Sequence, residues 1–106
     1  MMLVGAPTPI LAQKGNETGL PLYPNTNTGT QYPPSPAGYA IYTCQSPDTL
    51  AAVAEWYRHA LPNAKETQDN NQLTHGIVLT NGKDKVLVYQ LGKSPKAVIE
   101  LQKYVR

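Results

Sequence analysis

The sequence has 106 residues, and its nine Lys and Arg against seven Asp and Glu give a net charge of only +2, too small and dispersed for a nucleic-acid partner. This length provides one domain, because a hydrophobic core needs roughly 50 to 150 residues. No apolar run reaches the ~18 residues of a membrane-spanning helix, and the single cysteine excludes an internal disulfide or a cysteine-based metal cage.

The first twelve residues, MMLVGAPTPILA, carry no charged side chain. They resemble the hydrophobic and cleavage regions of a secretory signal, with Ala12 at the processing position. We therefore predict residues 1–19 to be a signal-peptide remnant and flexible N-terminus, and residues 20–106 to form one domain of a periplasmic or secreted protein. The alternative is a cytoplasmic protein with an apolar N-terminus.

Two strands are expected before the helix. Thr26, Thr28, Thr30 and Tyr32 recur at every second position, which is typical of one face of a strand, although the surrounding prolines and asparagines are also typical of a linker. A PPSPAG loop then leads to a strand over residues 39–45.

A helix is predicted over residues 47–61. Ser46 is a suitable cap, Pro47 suits the first helical position, and Asp48 places negative charge at the positive end of the helix dipole. One apolar arc follows at about 100° per residue, and it comprises Leu50, Val53, Ala54, Tyr57 and Leu61. Glu55 and His59 lie on the opposite, polar side.

The remainder of the chain predicts strands joined by hairpins. The expected fold is therefore α+β, with a mainly antiparallel sheet of four to five strands, one helix on one face, and the order β-β-α-β-β-β-β, in which the first strand is left open.

The register of the last hairpins decides which residues face the helix. A five-residue GKSPK loop would place the odd-numbered residues of both final strands on one face. The preceding hairpin is ambiguous, because an Asn81 to Lys85 loop keeps Ile77 and Leu79 on that odd face, whereas a two-residue Asn-Gly turn pairs them with even-numbered residues. The odd-face assignment leaves an unusually apolar opposite face that needs a cover, with Val78, Val86, Val88, Val98 and Tyr104 as the candidate interaction residues. The candidate covers are the N-terminal segment, a homodimer partner, or another protein.

Enzymatic chemistry has one candidate, a thiol-dependent hydrolase using Cys44 just before the helix. His59 lies twelve residues beyond Pro47, about 18 Å along a helix, so it is too distant to assist. His75 shares the strand parity of the core residues, and a contact with Cys44 is left open. No metal, nucleotide or other cofactor site is predicted, because the histidines, carboxylates and glycines lack the required spacing.

An aromatic ligand platform formed by Tyr42, Tyr104 and Trp56 is a further alternative. Packing is the more common role of such residues.

Two segments, LPLYPNTNTG and YAIYTCQSPDTLAAVAEWYRHALPNA, resemble a loosely defined group of small bacterial envelope proteins and lipoproteins without an assigned function. The matching residues are Leu20, Pro21, Tyr23, Pro24, Thr43, Ser46, Asp48, Val53, Trp56, Tyr57 and Leu61. The resemblance implies an exported α+β domain with the Tyr-Pro segment packed near the helix, and it implies no catalytic residue. We therefore expect a non-enzymatic binding or structural domain of the cell envelope that acts through an apolar sheet face.

Overall fold

The computed structural model describes residues 18–24, 26, 29–70 and 74–105, which form one helix and six strands. The α+β class and the element order β-β-α-β-β-β-β agree with the sequence, and the sheet has six strands rather than four or five. The elements are β1 (Gly29–Tyr32), β2 (Tyr39–Thr49), α1 (Leu50–Ala60), β3 (Lys65–Asn70), β4 (Thr74–Asn81), β5 (Asp84–Leu91) and β6 (Lys96–Tyr104).

All six strands belong to one antiparallel sheet with the order β1-β2-β6-β5-β4-β3. The hydrophobic core lies between α1 and one face of this sheet. Its central residues are Tyr42, Val53, Tyr57, Val86, Val88, Ile99 and Leu101. The edge strand β3 has the polar sequence KETQDN, and such charged edges resist pairing with other chains.

The helix is shorter at its start than predicted. Thr49 is the cap, since its side chain accepts a hydrogen bond from the Ala52 N–H at 3.3 Å. The predicted cap, Ser46, is buried in β2 and accepts a hydrogen bond from the Asp48 N–H at 2.8 Å. A shift in the β2–β6 pairing between Gln45 and Thr49 keeps this segment in the strand, so Pro47 is not the first helical residue.

The apolar side of the predicted helix is confirmed, and the helix ends one residue earlier than predicted. Val53, Ala54 and Tyr57 are buried, and Leu50 and Leu61 pack at the margin of the core. The helix ends at Ala60, where the Leu61 N–H donates to the Tyr57 carbonyl at 2.8 Å. Pro62 follows, and its missing N–H prevents continuation.

Two short hairpins set the register of the last three strands. Asn81 pairs with Asp84, so only two residues connect β4 to β5, and the first is Gly82 with a φ of 66°. Four residues connect β5 to β6, beginning with Gly92 at a φ of 57°. Glycine occupies the left-handed region without the steric cost of a side chain, which suits both turns.

The β5–β6 loop is one residue shorter than predicted, and the odd-face assignment is wrong for β5. Val86 pairs with Leu101 and Val88 pairs with Ile99, so even-numbered β5 residues share the core with odd-numbered residues of β6. The two-residue alternative for the preceding hairpin predicts the correct parity, because Leu79 pairs with Val86. The turn residues are Gly82 and Lys83 rather than Asn81 and Gly82.

The segment before β1 packs against α1. Leu20, Leu22 and Tyr23 belong to the core cluster, and Thr18, inside the predicted flexible terminus, is already buried. The predicted signal-peptide remnant before Thr18 lies outside the described residues.

Candidate functional site

Cys44 lies on β2 with its side chain in the core. Burial raises the pKa of its thiol to about 11, and a hydrogen bond with the Thr26 side chain acts in the opposite direction. The nucleophile in thiol chemistry is the thiolate, which is scarce at neutral pH when the pKa is this high. The position of Cys44 therefore suits packing and does not suit nucleophilic attack.

Neither histidine is placed to assist Cys44. His59 is exposed on the outer side of α1, with its Nδ1 atom 3.0 Å from the Glu55 carbonyl oxygen. His75 is exposed on β4, and β6 and β5 lie between β4 and β2. Three strand spacings correspond to about 14 Å, so the contact between Cys44 and His75 that the sequence leaves open is not formed.

The predicted aromatic platform is also not formed. Tyr42 is in the core, and Trp56 packs edge to face against Tyr23 and Tyr57, with ring centroids 5.5 and 4.9 Å apart. Tyr104 lies on the other side of the sheet, where its ring contacts Tyr39 at 5.4 Å. The three residues therefore face different environments.

Tyrosine hydroxyl groups attach the N-terminal segment to the helix side of the sheet. The Tyr57 hydroxyl donates to the Pro21 carbonyl at 3.0 Å and accepts from the Tyr23 N–H at 3.0 Å. The Tyr23 hydroxyl donates to the Asp48 carboxylate, and desolvation together with this carboxylate raises the pKa of Tyr23 to about 12. This packing gives these aromatic residues a structural role.

The five predicted interaction residues divide between the two faces of the sheet. Val86 and Val88 are 1% and 0% exposed in the core, which corrects their assignment to the opposite face. Val78, Val98 and Tyr104 lie on the face away from α1 and are half-buried. The correction follows from the shorter β5–β6 loop, which exchanges the two sides of β5.

The sheet surface away from α1, which we call the open face, combines apolar, aromatic and charged side chains. Strand pairing and alternation place these residues on it: Thr30, Tyr32, Tyr39, Ile41, Thr43, Gln45, Lys65, Thr67, Val78, Thr80, Lys85, Leu87, Tyr89, Leu91, Lys96, Val98, Glu100, Gln102 and Tyr104. No described segment outside the sheet belongs to the core on this side, since residues 18–24 and α1 both pack on the other.

A shallow concavity of about 370 Å³ lies on the open face. Its lining residues are Tyr32, Ile41, Thr43, Tyr89, Val98 and Glu100. The Glu100 carboxylate accepts a hydrogen bond from the Gln102 amide, so an anionic group lies among apolar and aromatic neighbours. Such a carboxylate would need a cationic partner if a bound surface excluded water from it.

Two lysines lie at one end of the open face. The Lys83 Nζ atom lies 4.5 Å from the Tyr104 ring centroid, and the Lys85 Nζ atom lies 5.8 Å from the Tyr39 ring centroid. Both distances are in the range of cation–π attraction. The open face therefore carries positive charge at one end and a carboxylate nearer its centre.

The sequence prediction omits most open-face residues, including Ile41, Thr43, Leu87 and Tyr89. The sequence does contain a signal for them. In β2 and β5, apolar residues occupy both odd and even positions, which predicts strands that are apolar on both faces.

Other sites have no support in the described part of the chain. No group of three or more His, Cys, Asp or Glu side chains there could hold a metal ion. No described helix has the length and apolarity to cross a membrane. No protein-family model, curated protein or solved structure matches the sequence.

Proposed function

We propose that the protein is an exported, non-enzymatic binding domain. Its open face binds the mostly apolar surface of a folded protein. One observation carries this proposal: the open face presents Ile41, Leu87, Tyr89 and Val98 while α1 and residues 18–24 pack on the opposite side.

The composition of the open face supports a bound surface. An antiparallel sheet with one face in water usually alternates apolar residues toward the core with polar residues toward the solvent. In β5 both sides are apolar, since Val86 and Val88 lie in the core while Leu87 and Tyr89 lie on the open face. Apolar side chains that remain partly exposed together on one face are typical of interaction sites.

The charge of Glu100 restricts the chemistry of the partner. A purely apolar partner would desolvate the carboxylate without compensation, which costs free energy. A partner with Lys or Arg opposite Glu100 satisfies it and gains specificity. The bound surface should therefore be apolar with at least one cationic side chain.

Site-specific cross-linking tests this proposal. We would place the photoreactive residue p-benzoylphenylalanine at Thr43 on the open face and, as the matched control, at Ala52 on the exposed side of α1, and irradiate the cells that naturally produce the protein. We expect an adduct of defined mass from position 43 and none from position 52. Equal adducts at both positions, or none at either, would contradict a partner on the open face.

The export part of the proposal has its own measurement. Residues 1–12 are apolar and end in Ala12, as a processed signal does. We expect intact mass spectrometry of the protein from its natural cells to show a chain that begins at Gln13. A cytoplasmic fraction that retains residues 1–12 would contradict export.

A further inference from the structure

We propose that the partner on the open face is a second copy of this chain. The two copies are related by a twofold axis along the midline of the sheet, between β6 and β5, with Glu100 of each copy within reach of Lys85 of the other. This inference rests on the proposed function and specifies its occupant.

The midline follows from the strand order. Three strands, β1, β2 and β6, lie on one side of it, and β5, β4 and β3 lie on the other. A twofold axis along the midline therefore lays β6 of one copy over β5 of the other and β2 over β4. Such an isologous contact uses the same residues from both copies.

The charges on the central strands are self-complementary in this arrangement. Glu100 lies on β6 and pairs with Leu87, and Lys85 lies two residues from Leu87 on the same side of β5. Laying β6 over β5 places Glu100 over Leu87 of the other copy, about 7 Å along the strand from Lys85, an offset that the long Lys85 side chain can span. Glu100 accepts a hydrogen bond from Gln102, and the Lys85 ammonium lies over the Tyr39 ring, but neither Glu100 nor Lys85 takes part in an ion pair in the described part of the chain.

The apolar residues agree with the same axis. Leu87, Tyr89 and Val98 lie at the centre of the open face beside the midline. Ile41 and Val78 lie farther out, on β2 and β4, which the axis brings together. The contact would thus bring these apolar side chains together beside Glu100 and Lys85.

The size of the open face is sufficient. Six strands at about 4.8 Å spacing and eight residues at about 3.4 Å rise cover roughly 700 to 800 Å². A stable interface buries about 800 Å² on each partner. The two sheets would pack about 10 Å apart with an angle of about 30° between their strands.

Sedimentation analysis of the purified protein is the first test. We expect a reversible dimer of twice the 11.6 kDa chain mass. Glu100→Lys and Lys85→Glu should each raise the Kd at least about 30-fold, because each places like charges opposite one another, and the double exchange should return it to within about threefold. Lys93→Glu in the exposed β5–β6 loop is the matched control and should leave the Kd unchanged.

An isotope-filtered NOE measurement on wild-type protein avoids dependence on variant folding. Thr43 and Val78 lie in one row across the sheet, on strands about 14 Å apart within a chain. The axis places Thr43 of one copy over Val78 of the other, so we expect an intermolecular NOE between their methyl groups.

The outcomes separate the two proposals. A protein that stays monomeric at 1 mM would overturn the proposed dimer. A cross-link from position 43 to a different protein would still support the proposed function. A dimer without the Thr43–Val78 NOE, or one unaffected by the charge exchanges, overturns the arrangement about the midline.

Discussion

Both faces of the sheet carry apolar side chains, and the two faces differ in what surrounds these side chains. On the helix side, Val88, Ile99 and Leu101 are fully buried by α1 and the N-terminal segment. On the open face, Ile41, Leu87 and Val98 remain half-buried, and the charged groups of Glu100 and Lys85 lie among them. In β5 the apolar pattern is the same on both sides, so the pattern alone does not identify the side that meets the helix.

The largest expected effect is the difference in stability lost when a side chain is truncated on one face or on the other. Ile99→Ala should lower the free energy of unfolding by about 2–5 kcal/mol, because it leaves a cavity in the core. Ile41→Ala is the matched change on the open face and should cost less, about 1–2 kcal/mol, since that side chain is only partly buried. Urea denaturation of dilute protein measures both, and equal losses would mean that the faces are not distinct.

Thiol labelling compares how accessible the two faces are to a reagent in solution. Cys44 should react with a soluble alkylating reagent at least about 100-fold more slowly in folded protein than in urea, because reaction requires opening of the core. Thr43→Cys, made together with Cys44→Ser, presents a thiol on the open face and should react rapidly in dilute protein. Rapid labelling of native Cys44 would contradict its burial and revive a thiol chemistry.

The attachment of the N-terminal segment can be weakened by removing one oxygen atom. Tyr57→Phe deletes the hydroxyl that joins the Pro21 carbonyl and the Tyr23 N–H, and unsatisfied buried groups cost about 1–3 kcal/mol. We expect a lower melting temperature in calorimetry. Tyr32→Phe, which alters an exposed ring, should leave it unchanged, and an unchanged melting temperature for Tyr57→Phe would argue that the segment does not stabilise the helix side.

The smallest expected effect concerns an ion pair at the margin of the helix side. Arg58 donates two hydrogen bonds to the Glu66 carboxylate at 2.9 Å each and lowers the pKa of Glu66. Glu66→Gln should cost about 0.2–1 kcal/mol at neutral pH, because both groups are partly in water.

The pH dependence of that effect has a definite sign. A lowered pKa in the folded state means that the pair stabilises the protein above the ordinary glutamate pKa of about 4.3 and loses this contribution as the pH falls through the folded value. The difference in unfolding free energy between wild type and Glu66→Gln should therefore disappear in acid. A difference that persists at low pH would assign the effect to packing.

Elements with strong local signals were predictable from the sequence. The apolar arc of α1 and the turn residues Gly82 and Gly92 identify the helix and the hairpins. The helix start was not predictable, because Ser46 hydrogen-bonds within β2 as readily as at a cap, and the shift in the β2–β6 pairing depends on tertiary contacts.

The candidate site was predictable only in part. Val78, Val98 and Tyr104 were placed on the correct side of the sheet, whereas Val86 and Val88 were not. β5 is apolar on both sides, so its composition cannot show which side meets the helix. Only the loop length decides, and GKSPK is compatible with loops that differ by one residue.

The four-residue loop between β5 and β6 also restricts how this sequence can change over time. Because strand side chains alternate with a period of two, an insertion or deletion of one residue there would turn Leu87 and Tyr89 inward and Val86 and Val88 outward. A change of two residues would preserve both faces. Homologous chains should therefore differ in the length of this loop by even numbers of residues.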